Sequence, residues 1–213
     1  MQATTLVDRL AAALDATGTL IANVADDQWS RPTPCPDWDV RGLVDHLVFG
    51  QRLFAGIVRG EPVPPAEELT RLRALDHLGD DPSAAHRAAG ADLLAVFSDP
   101  SVLERMFQAP IGTVPGIVLL HLRITEELVH GWDVARATGQ VARLPEDAAE
   151  AELAFARAQL DVNVPRRGRF GDAQPVADEA PAIDRLAAFL GRPLALAALL
   201  DPGAAPTSHD HDR

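Results

Sequence analysis

The chain has 213 residues, of which 47% are hydrophobic, enough for a packed core. Its formal charge of −12, from 31 acidic against 19 basic residues, would repel nucleic acid and anionic membrane surfaces. All the basic residues are arginines and tyrosine is absent, which excludes chemistry that needs a lysine or a tyrosine.

The sequence also bears on the compartment. No apolar run approaches the ~20 residues of a membrane span, and the N-terminus lacks the charged start and apolar middle of a signal peptide. One cysteine, Cys35, excludes an intramolecular disulfide and fits a reducing environment. We therefore expect a cytoplasmic protein whose partners are neither nucleic acid nor a membrane.

Apolar residues at steps of three and four predict four long helices, with boundaries at prolines, glycines and one capping aspartate. A stiff proline-rich loop, Arg31 to Pro36, separates the first two helices, because proline fixes its own backbone and restricts its predecessor. The segment from Glu67 to Leu78 has weak signals and stays unassigned. The four helices extend from Leu6 to Val24, from Asp39 to about Gly60, from Pro82 to Asp99, and from Pro115 to Gly139.

Beyond residue 140 the pattern changes to shorter helices and loops. Helices are predicted from Pro145 to about Val162, from Pro181 to Leu190 and from Leu194 to Leu200, with an irregular arm at 165–171. No segment alternates long enough to build a sheet, so the predicted class is all-α. We divide the chain into a metal-binding four-helix bundle (1–140), a helical extension packed on it (141–201) and a disordered tail (202–213).

Glu126 and His130 lie four residues apart on the last long helix, so one metal ion can be held by both. A surface Glu–His contact is the common alternative, but the flanking leucines place the pair at the edge of an apolar stripe. Glu127 competes with Glu126, because it is also one turn from His130. Asp133 could accept the second ring hydrogen bond of His130 or lie solvated near the helix end.

His46 lies among apolar residues of the second helix and would point toward the bundle interior. It is the histidine best placed to meet the Glu126 and His130 pair, since bundle metal sites use ligands from facing helices. Two imidazoles and one carboxylate leave coordination positions open, as in catalytic sites. We expect zinc, and nickel, iron or manganese would also accept this set.

The remaining candidates are assigned other roles. His121 is predicted on the opposite face of its helix, in a structural or surface role, and His77 and His86, in polar surroundings, receive no role. The tail histidines, His209 and His211, could bind metal adventitiously. Cys35 is expected to be an inert thiol near the metal entrance, and the tryptophans are expected to pack. The arginines of the arm, Arg166, Arg167 and Arg169, could bind an acidic substrate, although we favour solvation of the loop.

Three segments together resemble the DinB-like proteins, especially the actinobacterial branch that contains mycothiol-dependent maleylpyruvate isomerase. The first is Thr33 to Val40 (TPCPDWDV) followed by LVDHL at 43–47, and the second is Glu126 to Gly139 (EELVHGWDVARATG). The third, Ala182 to Arg192 (AIDRLAAFLGR), resembles an uncharacterised metal-binding subgroup.

The resemblance implies a DinB-like four-helix bundle in which His46, Glu126 and His130 hold a divalent metal, and it selects Glu126 over Glu127. It also implies mycothiol, or a similar low-molecular-weight thiol, as cosubstrate. The characterised isomerase carries a separate C-terminal domain with strands, so residues of that domain are not transferred to the short helices predicted here.

Three functions follow as hypotheses. The first is a metal-dependent transferase or isomerase that activates a small-molecule thiol toward an electrophilic substrate. The second is a hydrolase that uses metal-bound water, with Asp45 or Glu127 as speculative bases. The third is a non-enzymatic protein that binds a metal or small ligand. Either a monomer or a homodimer is compatible with the sequence.

Overall fold

The structure is a computed structural model that describes residues 5–159 and 170–194. The predicted all-α class is confirmed, because helices dominate these residues and the strands form one short hairpin. The elements are α1 (Leu6–Ala22), α2 (Val40–Arg59), α3 (Ala66–Arg73), α4 (Pro82–Phe97), β1 (Met106–Ala109), β2 (Gly112–Pro115), α5 (Gly116–Thr138), α6 (Glu146–Gln159) and α7 (Ala182–Phe189).

The four long helices form the predicted bundle. Helix α1 packs against α4 and α5, and α2 packs against the same two helices, so the four elements close a ring. Each contributes fully buried leucine or isoleucine side chains to the interior, such as Leu10, Leu43, Leu93 and Ile124. Burial of one such side chain stabilises the fold by about 1.5–3 kcal/mol.

The helix ends follow the signals in the sequence. Asp39 caps α2 as predicted, since its side chain accepts a hydrogen bond of 2.8 Å from the backbone N–H of Gly42. Gly139 adopts a left-handed conformation, with φ of 73°, and ends α5 where the sequence places the boundary. Pro115 precedes the first residue of α5 and does not lie within its first turn.

The prediction that no segment builds a sheet is wrong for residues 106–115. Strands β1 and β2 pair antiparallel, with Met106 opposite Pro115 and Ala109 opposite Gly112. Each strand has only four residues, which is at the lower limit of what alternation can indicate. Phe107 and Ala109 of β1 are nevertheless buried while their neighbours are exposed, so a weak period of two was present. Helix α3 begins one residue before the unassigned segment from Glu67 to Leu78 and occupies its first seven residues.

Helices α6 and α7 pack against each other and against α5. Most of the helix predicted from Leu194 to Leu200, the arginines of the arm and the C-terminal tail lie outside the described residues. The division into a bundle, an extension and a tail stays a prediction. Within the ranges that the structure describes, no helix is long and apolar enough to cross a membrane.

Gly116 provides a test of the packing at the start of α5. A Cβ atom at this position would lie 2.1 Å from the carbonyl oxygen of Val102, so the backbone has no room for it. We expect Gly116→Ala to lower the free energy of unfolding by about 1–3 kcal/mol in urea denaturation.

Gly18→Ala is the matched control, because the nearest atom to its added Cβ is at an ordinary 3.5 Å. Replacing this helical glycine should raise stability by up to ~1 kcal/mol. Equal stability of Gly116→Ala and the parent protein would contradict the packing described here.

Candidate metal centre

Three side chains from two helices converge on one point between α2 and α5. His46 Nε2 lies 3.0 Å from Glu126 Oε2, and His130 Nε2 lies 3.4 Å from the same oxygen. One ligating atom from each residue lies within 4.8 Å of the other two. The three residues that the sequence analysis nominated are therefore brought together.

The helices explain the convergence. Glu126 and His130 are one turn apart on α5, so their side chains leave the helix on the same side. His46 is in the middle of α2, which packs directly against α5. The side chains of His46 and Glu126 are 22% and 23% exposed, whereas that of His130 is only 6% exposed. Solvent therefore reaches the cluster at His46 and Glu126.

A buried carboxylate fixes the ring of His130. Asp133 Oδ2 lies 3.0 Å from His130 Nδ1, and Asp133 is fully buried. Because a carboxylate only accepts hydrogen bonds, Nδ1 carries the hydrogen and Nε2 faces Glu126. Of the two roles predicted for Asp133, the structure supports that of a partner for the ring. The same oxygen accepts a 3.2 Å hydrogen bond from Arg192 Nη2.

The three groups perturb one another's protonation. Burial alone would raise the pKa of Glu126, but hydrogen bonds to His130 and His46 hold it well below its usual value. Burial opposes charge on His130, yet Asp133 and Glu126 together raise its pKa to about 9. For His46 burial outweighs Glu126, so its pKa is lowered. The charged form of His130 is therefore favoured beside the carboxylate of Glu126.

Trp38, two residues after the proline-rich loop, covers the cluster. The Trp38 ring stacks on His46 with 4.4 Å between centroids and meets His130 edge-on at 5.9 Å. Thr33 fixes the loop, since its hydroxyl lies 2.9 Å from the carbonyl oxygen of Cys35 and 2.8 Å from that of Trp38. Trp38 was predicted to pack, but its contact with the rings of His46 and His130 was not predicted.

Glu127 faces the bundle interior and belongs to a different cluster. Its carboxylate lies 3.0 Å from His86 Nε2 and accepts hydrogen bonds from Gln51 at 2.9 Å and Arg123 at 3.3 Å. All four residues are buried. Glu126, and not its neighbour Glu127, therefore lies beside His46 and His130.

The assignment of His86 to polar surroundings is wrong. This histidine is 1% exposed and contacts a buried carboxylate. Its sequence neighbours Ser83 and Arg87 are polar, but Leu93 and Phe97 follow at steps of seven and eleven, which place all three on one helix face. That spacing could have predicted that His86 is buried.

Other nominated residues lie away from the cluster. His121 Nδ1 is 2.9 Å from Glu152 Oε1, and its ring stacks on Phe155, which fits the structural role predicted for it. Asp45 accepts a 2.7 Å hydrogen bond from the backbone N–H of His77. Burial raises the pKa of the Cys35 thiol to about 11, despite the opposing charge of Arg192, so the thiol is neutral near pH 7.

The two adjacent glutamates should differ in their effect on stability. Glu127→Gln leaves the buried guanidinium of Arg123 without its counter-charge, so we expect a loss of about 3–5 kcal/mol in the free energy of unfolding. Glu126→Gln should cost much less, because water reaches the Glu126 side chain. Urea denaturation with a chelator present measures both variants. Equal losses would contradict this division of roles.

Known proteins are similar to this chain in sequence and in fold. Residues 10–135 match the family model described as the mycothiol maleylpyruvate isomerase N-terminal domain. An uncharacterized protein of Mycobacterium tuberculosis strain H37Rv is 39% identical over 181 residues, which cover 84% of this chain and 93% of that protein. A second uncharacterized protein of that strain is 26% identical over 145 residues, covering 62% of this chain and 56% of the relative.

Among solved structures, that of the mycothiol-dependent maleylpyruvate isomerase matches with a TM-score of 0.54 at 19% identity, covering 72% of each chain. A histidine mutant of the same enzyme matches with a TM-score of 0.56 at 18% identity and the same coverage. These values show a common fold, and the resemblance predicted from the sequence motifs is confirmed. The chain belongs to the family of the mycothiol maleylpyruvate isomerase N-terminal domain.

Proposed function

We propose that His46, Glu126 and His130 bind one divalent metal ion, and that the protein uses this ion to activate a low-molecular-weight thiol of the mycothiol type. The observation that carries the proposal is the convergence of three ligating atoms within 4.8 Å of one another. Family membership supplies the thiol, because the isomerase that shares the fold is named as mycothiol-dependent.

The distances fit a metal ion. Zinc lies about 2.0–2.2 Å from imidazole nitrogens and carboxylate oxygens, so neighbouring ligand atoms are separated by about 3–3.5 Å. The separations of 3.0 Å and 3.4 Å from Glu126 Oε2 to the two histidines lie in this range. Asp133 is the kind of outer-shell hydrogen-bond partner that metal-bound histidines commonly have. Zinc is the ion we expect.

The charge of the site favours a cation and one further anion. Glu126 and Asp133 are carboxylates and Arg192 is a guanidinium, so these side chains together contribute a formal charge of about −1 at neutral pH. A divalent ion would leave a net positive charge, and a single thiolate would neutralise it. Three protein ligands also leave coordination positions open, as in catalytic sites.

The ion, when bound, would lower the pKa of a thiol that coordinates it. The chain's own residues have the supporting roles. Asp133 holds the hydrogen of His130 Nδ1, so Nε2 keeps its lone pair for the ion. Trp38 covers one face of His46 and limits the access of water. The thiol proton would pass to solvent, and the sulfur would form a bond to an electrophilic carbon of the second substrate as that carbon's bond to a leaving group, or the π bond of its double bond, breaks.

The fate of that bond distinguishes the two reactions. In an S-transfer, the new S–C bond is retained and the leaving group departs with its electron pair. In an isomerisation, the S–C bond breaks again, the π bond re-forms after rotation, and the thiolate regains a proton from solvent. Among residues 5–159 and 170–194, no contact favours the hydrolase alternative, because neither of its speculative bases, Asp45 and Glu127, belongs to the cluster.

Metal binding should depend on pH through His130. Because its pKa is raised to about 9, a proton occupies Nε2 below that value and the metal must displace it. We expect the zinc association constant to rise about tenfold per pH unit between about pH 6.5 and 8.5. Competition with a zinc-binding dye, corrected for protonation of the dye, measures this slope. A flat profile would contradict the proposed role of His130.

Thiol binding should require the metal. We expect mycothiol to raise the melting temperature of zinc-loaded protein, with a shift that grows with the logarithm of its concentration above the dissociation constant, and to leave metal-free protein unchanged. S-methyl mycothiol, which lacks the thiol, should bind more weakly. His130→Ala should abolish the effect, whereas the matched variant His121→Ala on the same helix should retain it.

All variants are compared in a protein in which His209 and His211 are replaced, so that tail histidines add no metal. A zinc-loaded protein that responds to no low-molecular-weight thiol would contradict the proposed activity. A response of equal size in the metal-free protein would contradict the role of the ion.

A further inference from the structure

We infer that Arg192 is a positioning residue of the metal centre and acts on His130 through Asp133. The inference rests on the proposed function, because it assumes that His130 is a ligand. Arg192 lies beyond residues 10–135, the part of the chain that the family model covers. The segment after α7 would therefore contribute a residue to a site whose ligands all come from the bundle.

The contacts of Asp133 carry the inference. Its Oδ2 atom lies 3.0 Å from His130 Nδ1 and accepts a 3.2 Å hydrogen bond from Arg192 Nη2. Its Oδ1 atom is buried and has no hydrogen-bond partner among the residues that the structure describes. A single oxygen therefore joins the ligand ring to the guanidinium. The orientation of this carboxylate depends on both partners.

The charge of Arg192 is also matched to this position. Asp133 is fully buried, and the side chain of Arg192 is 13% exposed. A buried carboxylate without a partner would be costly, so the guanidinium offsets the cost of burying Asp133. The guanidinium also contacts the same oxygen that faces His130, which fixes the direction of the carboxylate. Without Arg192, solvent or a rotated side chain would compete for this role.

Two further contacts hold this segment on the same face of α5. Trp132 Nε1 donates a 2.7 Å hydrogen bond to Asp184 of α7, and Arg136 Nη2 donates a 2.6 Å bond to the carbonyl oxygen of Leu194. Together with Asp133, they form a row of three residues that follows the ligand His130. Helix α7 and the segment after it contact all three residues of this row.

A tight turn at Gly191 places Arg192 beside Asp133. Gly191 has φ of 94°, a conformation that favours glycine, and an added Cβ would lie 2.6 Å from the Cα of Gly171. The backbone N–H of Arg192 then donates to the carbonyl of Ala187 at 2.9 Å, which closes the end of α7. The side chain is thereby fixed at its base as well as at its tip.

The test measures zinc affinity and not activity. Loss of an outer-shell partner typically weakens metal binding 10–100-fold, so we expect Arg192→Gln to raise the zinc dissociation constant about tenfold. Arg192→Lys keeps the charge and should restore part of the loss. With cobalt in place of zinc, the visible absorption bands of Arg192→Gln should shift, because the ligand field changes when His130 is free to move.

Arg185→Gln is the matched control. Arg185 is also an arginine of the α7 segment, but it pairs with Glu150 and the carbonyl of Ala180, away from the ligands. It should leave the dissociation constant and the cobalt spectrum unchanged. In an Asp133→Asn background, Arg192→Gln should have little further effect, because the two residues act through one contact.

The outcomes separate the two proposals. If the unchanged protein binds no zinc, the proposed function fails and this inference with it. If that protein binds zinc and Arg192→Gln binds it equally tightly with the same cobalt spectrum, only this inference is overturned. Equal losses in Arg185→Gln and Arg192→Gln would also overturn it, because they would show a general effect of α7 on stability.

Discussion

The carboxylate of Glu126 lies between two imidazole rings from different helices, and the site depends on this contact. It joins α2 to α5 through atoms 3.0 Å and 3.4 Å apart. His46 can donate an Nε2 hydrogen to this carboxylate while neutral, but His130 already donates its Nδ1 hydrogen to Asp133, so a neutral His130 would face the carboxylate with a lone pair and a positive charge is needed on that ring. In the metal-free protein a proton on His130 supplies that charge. We propose that a divalent ion takes the place of the proton.

Adjacent residues of α5 serve different purposes because a helix turns about 100° per residue. Glu126 points to the cluster beneath Trp38, while Glu127 points into the core and neutralises Arg123. The buried network around Glu127 limits rotation of α5 relative to α2 and α4, since its partners come from both helices. Contacts among residues outside the site can thus hold its few protein ligands in position.

The sequence predicted much of the fold and the three clustered residues. Regular spacing located the long helices, and the prolines, Asp39 and Gly139 marked their ends. Spacing alone could not separate Glu126 from Glu127, because both lie one turn from His130 and the direction of the bundle axis was unknown. Arg192 is 59 residues from Asp133 in the chain. No periodic pattern reports a contact of that kind, which depends on how α7 packs.

Anomalous X-ray scattering tests the central claim most directly. Crystals of zinc-loaded protein, measured above and below the zinc absorption edge, locate the ion independently of any activity. Our account predicts one strong anomalous peak within about 2.2 Å of ligating atoms of His46, Glu126 and His130. A crystal soaked in zinc that shows no peak between these three residues, or shows it only elsewhere on the molecule, would contradict the account.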